Sequence, residues 1–222
     1  GKDCPIFIVA ELSANHKQDF DLAVKTIHAI KRSGADAVKL QTYTPDTLTI
    51  DSDNKYFQIK QGTLWDGKIL YKLYQEAYTP WEWQPKLKKI AEELGLICFS
   101  TPFDKTAVDF LEEMDVMVYK VASFEITDIP LIEYIASKNK PVIMSTGIAT
   151  LPDIKEAVMA CKRMKNNQIA LLKCTSAYPC PLEDVNVNTM PDIKKRFKPS
   201  VGLSDHTLGI SVPIAATALG AK

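Results

Sequence analysis

Seven short runs rich in β-branched and apolar residues recur along the chain, at Ile6–Glu11, Asp36–Thr42, Leu96–Thr101, Met117–Ala122, Pro141–Thr146, Gln168–Thr175 and Val201–His206. Between them apolar positions return with helical period. Phe20–Ser33 carries Ala23, Ile27 and Ile30 on one face, and Gly34 stops it. Thr79-Pro80-Trp81-Glu82 reads as a capping box with proline at the first helical position, opening a helix through Leu94 that Gly95 ends. Thr150, Pro152 and Asp153 open another in the same way. The one long departure is Tyr43–Tyr78, with Trp65, Asp66, Gly67 and several tyrosines, expected to run over one face.

Strands alternating with helices predict right-handed βα units, in either a doubly wound sheet or an eight-stranded barrel. Polar residues separate the two. They cluster at the C-terminal ends of the strands: Glu11, Lys39 and Gln41, Thr101, Lys120 and Ser123, Ser145 and Thr146, Ser176 and Tyr178, Ser204 and His206. A barrel gathers those ends into one site, whereas a doubly wound sheet concentrates ligand contacts at a switch point, usually behind a glycine-rich turn. The turn after the first run, Glu11-Leu12-Ser13-Ala14-Asn15-His16, has no glycine. The expected fold is therefore α/β, a TIM-type (β/α)8 barrel. It is expected to be truncated after the seventh strand, residues 1–222 forming one incomplete barrel domain, since an eighth strand should begin where the chain reaches Gly220-Ala221-Lys222.

Composition narrows the partners. The 222 residues are 46% hydrophobic, enough for a substantial core. Lys plus Arg equals Asp plus Glu at 27 each, so bulk charge gives no reason to expect nucleic acid or an anionic membrane. Arg163, Lys165 and the cluster Lys194, Lys195, Arg196 and Lys198 read as solvated helix faces. No apolar run approaches a membrane span and Gly1–Pro5 holds no secretory core, which favours the cytoplasm. Cys4, Cys98, Cys161, Cys174 and Cys180 lack paired spacing and read as mostly buried thiols; a redox or metal role for Cys174 and Cys180 is the alternative.

Lys39 and Lys120 fall inside apolar strands, where an unpaired ammonium would cost several kcal/mol, so each needs an anion. Snorkelling or a buried carboxylate would answer for either alone. Joined by Thr101, Ser123, Ser145 and Ser204, the two resemble a cradle for phosphate and carboxylate. Glu11 and Glu125 follow strands and are candidate acid and base groups, or rim carboxylates. Alternation puts Gly202, Ser204 and His206 on one strand face, so His206 is either a metal ligand or a satisfied loop residue. Trp81, Trp83 and the Tyr71, Tyr74, Tyr78 group suit either a sugar surface or, by their helical spacing, the core.

Seven motifs in order then resemble the sialic acid synthase family: Ile8-Val-Ala-Glu-Leu-Ser-Ala-Asn-His16, Val38-Lys-Leu-Gln-Thr42, Phe99-Ser-Thr-Pro-Phe103, Tyr119-Lys-Val-Ala-Ser-Phe-Glu125, Met144-Ser-Thr-Gly147, Cys174-Thr-Ser-Ala-Tyr-Pro179 and Gly202-Leu-Ser-Asp-His206. Within it Gln41-Thr-Tyr-Thr-Pro-Asp46, Gly62-Thr-Leu-Trp-Asp-Gly67 and Glu76-Ala-Tyr-Thr-Pro-Trp-Glu-Trp83 look most like the pseudaminic acid branch. The resemblance implies condensation of phosphoenolpyruvate with an open-chain amino-sugar aldehyde, for this branch 2,4-diacetamido-2,4,6-trideoxy-altrose, to a nine-carbon acid with release of phosphate. N-acetylneuraminate or legionaminate synthesis is the alternative product. By matching position it assigns Lys39, Thr101, Lys120, Ser123, Ser145, Ser176, Tyr178 and Ser204 to phosphoenolpyruvate or the intermediate, and Glu11 and Glu125 to the metal-water or sugar side, with Gln41 as a further substrate contact. It implies a divalent metal, typically manganese, with His206 as one ligand. The second histidine is expected on the eighth strand, beyond Lys222, and a C-terminal antifreeze-like domain is expected to complete the sugar site across a homodimer. Two other readings stay open: a Schiff-base aldolase using a strand lysine, and a non-catalytic sugar-binding domain.

Overall fold

The computed structural model describes residues 5–60 and 66–222. Cys4, and residues 62–65 of the Gly62–Gly67 motif with Trp65 among them, lie outside the described residues. The chain divides into two compact units, Ile8–Val116 and Met117–Lys222, the latter joined by the segment that ends at Phe7.

The first unit contains β1 (Val9–Glu11), α1 (Phe20–Arg32), β2 (Ala37–Thr42), α2 (Pro45–Leu48), α3 (Leu70–Ala77), α4 (Gln84–Glu93), β3 (Ile97–Pro102) and α5 (Lys105–Glu113). Its strands are parallel and adjacent in chain order, with Glu11 opposite Lys39 and Gln41 opposite Thr101. Alternation along β2 sends Val38 and Leu40 into a core with Leu12, Ala23, Ile27, Leu87, Ala91 and Cys98. Lys39 and Gln41 therefore stand on the opposite face. Ile27, Leu40 and Leu87 are at most 1% exposed, and full burial of such a side chain stabilises by about 1.5–3 kcal/mol. Asp19 caps α1 by accepting the Leu22 N–H, and Gly34 ends the turn beyond it at φ +84°.

The second unit contains β4 (Tyr119–Val121), α6 (Ile129–Ser137), β5 (Val142–Ser145), α7 (Leu151–Arg163), β6 (Ile169–Cys174), α8 (Thr189–Phe197), β7 (Ser200–Ser204) and α9 (Ser211–Ala218). These strands too are parallel and sequential; Ser145 lies opposite Leu172, and Cys174 opposite Ser204. The capping box expected at Thr150 is present, with Asp153 as its reciprocal partner and proline in the first turn. Lys194, Lys195, Arg196 and Lys198 are exposed, as the sequence suggests. Cys98, Cys161, Cys174 and Cys180 are free and buried.

Four expectations change. The first run is a strand only from Val9, because the Ile8 N–H is taken by the Asp36 carboxylate at 2.7 Å and Ile6, Phe7 and Ile8 are exposed. The fourth begins at Tyr119, leaving Met117 exposed. Thr79 caps no helix: its hydroxyl is engaged by His16 Nε2 at 3.0 Å, Trp81–Trp83 is a single 3₁₀ turn, and α4 starts at Gln84 without a side-chain cap. β7 ends at Ser204, so His206 lies beyond the ladder and the alternation of Gly202 and Ser204 does not extend to it. The Tyr43–Tyr78 excursion holds α2, α3 and an antiparallel bridge from Gln58 to Ile69.

Candidate active site

In the first unit the Lys39 ammonium lies 2.6 Å from Glu11 Oε1, and Gln41 Nε2 donates to the same oxygen at 3.1 Å. Adjacent parallel strands make this possible, since Glu11 and Lys39 are register partners. The anion that Lys39 requires is thus supplied by the protein. Thr101, 1% exposed on β3, keeps its hydroxyl without a protein partner.

A buried polar chain backs this group. Gln84 Nε2 donates to the Gln41 and Thr79 carbonyls, so its Oε1 accepts from the Thr42 hydroxyl at 2.7 Å. Thr42 has only one proton to give, and the Ser100 hydroxyl 2.6 Å away must therefore donate to it. His16 Nδ1 accepts the Gln18 N–H, and burial lowers the ring's pKa. The neutral ring then carries its proton on Nε2 and donates it to Thr79.

In the second unit Lys120, 5% exposed, donates to Ser145 Oγ at 2.6 Å and to the Val121 carbonyl at 2.7 Å. Ser123 Oγ accepts the Gly147 N–H at 3.1 Å. Gly147 has no room for a side chain: a Cβ would overlap Ser176 Oγ, lie 2.8 Å from Ser123 Oγ and 3.1 Å from Cys174 Sγ. The Ser176 hydroxyl is buried and has no protein partner. Neither has Glu125 Oε2. Burial raises the Glu125 pKa, against smaller lowering effects of its own backbone N–H and the Lys120 charge.

His206 Nδ1 faces the Thr175 carbonyl at 2.8 Å. A carbonyl only accepts, so Nδ1 carries the proton and, in the neutral ring, Nε2 keeps its lone pair. The ring also meets Tyr178, centroids 4.1 Å apart, and Cys174 Sγ at 3.9 Å. Burial would raise the Cys174 thiol, but hydrogen bonds with His206, Ser123 and Ser204 outweigh it and bring it down to about 7. Burial instead pushes Cys98 up to about 12 and Cys161 to about 11.

The second unit thus brings Ser123, Ser176, Ser204 and His206 around Gly147 and Cys174, with Lys120 bonded to Ser145. The first holds Glu11, Lys39 and Gln41 together and leaves the Thr101 hydroxyl unclaimed. Tyr178 is largely exposed apart from its contact with His206. Of the aromatic residues weighed for a sugar surface, Trp81 stacks on Phe110 and donates to the Tyr43 carbonyl, Trp83 meets Phe20 and His16 edge-on and Tyr74 meets Tyr43 edge-on, whereas the Tyr71 hydroxyl donates to Asp46 at the surface. Sequence reasoning missed Lys173, which is 8% exposed on β6, although it carries the same signal as Lys39 and Lys120, a lysine inside an apolar strand. Among the described residues no three His, Cys, Asp or Glu side chains are placed to hold a metal ion. His206 Nε2 fits as one donor to such an ion, and the described residues supply no complete set.

Comparison with known proteins gives this arrangement its class. The NeuB family model matches residues 26–222. The chain belongs to the NeuB family, the sialic acid synthases. It is 52% identical to the pseudaminic acid synthase of Helicobacter pylori over 98% of its length, and 47% identical to that of Campylobacter jejuni over 99%. It spans 64% of each of those two relatives. Among solved structures, the N-acetylneuraminic acid synthetase of Leptospira borgpetersenii, in complex with citrate, superposes with a TM-score of 0.87 at 31% identity, over 98% of this chain and 71% of that one. The fold class is accordingly α/β of the TIM-barrel type, with seven parallel strands among the described residues.

Proposed function

We propose that the protein condenses phosphoenolpyruvate with an open-chain amino-sugar aldehyde, 2,4-diacetamido-2,4,6-trideoxy-altrose, to give the nine-carbon pseudaminic acid and inorganic phosphate. The observation that carries the phosphoenolpyruvate half is the buried Lys120 bonded to Ser145, in a unit where the buried Ser176 hydroxyl still lacks a partner. Such a set supplies one fixed charge and several donors, which a phosphate or carboxylate can satisfy. The identity to the two pseudaminic acid synthases supports the sugar.

In this reading C3 of phosphoenolpyruvate attacks the aldehyde carbon, forming the new C–C bond and leaving an oxocarbenium at C2. The aldehyde oxygen takes up a proton, which Glu125 provides, since burial favours its protonated acid. Water adds to C2 and loses a proton to Glu11. The tetrahedral intermediate then expels phosphate by cleavage of the bond between C2 and the bridging oxygen; the C2 hydroxyl passes its proton to the leaving phosphate, and C2 becomes the ketone carbon. Lys39, Lys120, Thr101, Ser123, Ser145, Ser176, Tyr178 and Ser204 hold phosphoenolpyruvate or this intermediate, and Gln41 orients Glu11 and the sugar. A divalent metal, manganese in this family reading, would polarise the aldehyde carbonyl when bound, with His206 Nε2 as one ligand. We place the reaction in the cytoplasm and in a homodimer, as the family resemblance implies; separately, none of the described helices is long and apolar enough to cross a membrane.

Isothermal titration of phosphoenolpyruvate into the protein and its Lys39→Ala and Lys120→Ala variants tests the reading. Each loss of a charge-assisted contact should weaken binding by about 10- to 100-fold. Unchanged binding in both variants, or a borohydride-trapped pyruvate adduct on either lysine, would overturn it.

A further inference from the structure

Lys173 is an ammonium buried in the second unit that no step above uses. On β6 it pairs in register with Leu203, whereas Cys174 pairs with Ser204. Alternation therefore turns Cys174 toward Gly147 and His206, and Lys173 to the other face, beside Cys180, Val185 and Leu203. From there its ammonium donates to the Cys174 carbonyl at 2.6 Å and the Thr175 hydroxyl at 2.8 Å. The Thr175 hydroxyl in turn donates to the Asp184 carbonyl at 3.2 Å. Both acceptors of Lys173 are neutral, and burial lowers the lysine's pKa. A charged donor kept in such surroundings costs stability.

What that cost secures is the segment that leaves β6. Thr175 gives its carbonyl to His206 Nδ1, the Cys180 N–H donates to the His206 carbonyl at 2.8 Å, and Ser176, between them, aims its unpartnered hydroxyl at Gly147. The segment has no regular secondary structure to hold it. We infer that Lys173 is a positioning residue: from the face of β6 opposite the site, it fixes Thr175 so that the Ser176 hydroxyl stands where the phosphoenolpyruvate cradle requires it and the His206 ring, bonded to the Thr175 carbonyl, keeps its orientation beside it. This rests on the reading of Lys120, Ser123 and Ser176 as that cradle.

The test is phosphoenolpyruvate binding to the complete protein, measured by titration calorimetry with melting temperatures recorded alongside. Lys173→Met keeps the stem and removes the donors; Thr175→Val removes the hydroxyl through which the pin acts, and Thr175→Ser restores it. We expect Lys173→Met and Thr175→Val each to weaken binding about 10-fold, since small displacements at a preorganised site are costly, and Thr175→Ser to bind like the wild type. A purely structural lysine would lower the melting temperature and leave the affinity of the folded protein unchanged. Should Lys173→Met not fold, the Thr175 pair decides. Wild-type affinity in Thr175→Val while Lys120→Met is weakened overturns this inference alone; a Lys120→Met variant that binds normally overturns the cradle itself, and the inference with it.

Discussion

Gly147 and Ser176 approach so closely that the Ser176 hydroxyl occupies the space a side chain on residue 147 would need. Two further site atoms, Ser123 Oγ and Cys174 Sγ, would lie 2.8 and 3.1 Å from the same methyl. The glycine is thus fixed by the crowding of site residues about it, and its φ is not in the left-handed region.

Gly147→Ala should therefore damage the site more than the fold. Ser123 would have to give up the Gly147 N–H, and Ser176 would be displaced from the position in which its hydroxyl is free to meet a ligand. We expect phosphoenolpyruvate affinity to fall at least about 10-fold, as for other misplaced site groups, and overpacking to cost about 1–3 kcal/mol. Calorimetric titration and chemical denaturation of the same variant separate the two effects.

Glu125 gives the protein a pH signature. Its pKa is raised above the ordinary 4.5 by burial, so the folded state holds its proton more tightly than the unfolded chain. The resulting stabilisation is complete below the unfolded value and is lost as pH rises through the folded one. Glu125→Gln cannot ionise and is spared that loss. Its melting temperature relative to wild type should rise between pH 4 and pH 7, and a constant difference would show that Glu125 is not the buried acid described.

The chain from Ser100 through Thr42 to Gln84 predicts a stability effect away from the substrate. Thr42→Val preserves shape but leaves Gln84 Oε1 and the Ser100 proton without their partner. An orphaned buried polar group costs about 1–3 kcal/mol. Thr42→Ser keeps the hydroxyl and should lose under about 1.5 kcal/mol, as for removal of one methyl. Urea unfolding of the two variants provides the comparison.

Much of this was legible in the sequence because a strand advertises both of its faces. In β2 the apolar Val38 and Leu40 marked the core side, and Lys39 and Gln41 stood out by interrupting them. Helices with a local stop or cap, such as the one closed by Gly34 or opened by Thr150, were equally readable. Thr79 was misread because a capping motif specifies a preference for the helix N-terminus, and nothing local reveals that His16, far away in sequence, competes for the same hydroxyl. The anion for Lys39 was hidden for a similar reason: that Glu11 faces it depends on strand register. Lys173 was overlooked although its strand context matched that of Lys120. Its partners, a carbonyl and a threonine two residues on, only become apparent once the chain leaves the strand.

The register between β1, β2 and β3 couples the chemistry of the first unit to its loop lengths. Deleting one residue from the turn at 33–36 would, if the strand slid to compensate, turn Lys39 and Gln41 toward α1 and α4 and expel Val38 and Leu40 from the core. Among the described residues, the stretch between α2 and α3 carries no strand of the sheet, so its length is not tied to that register. Variation in length should accumulate there, leaving the short turns as the molecule's fixed gauge.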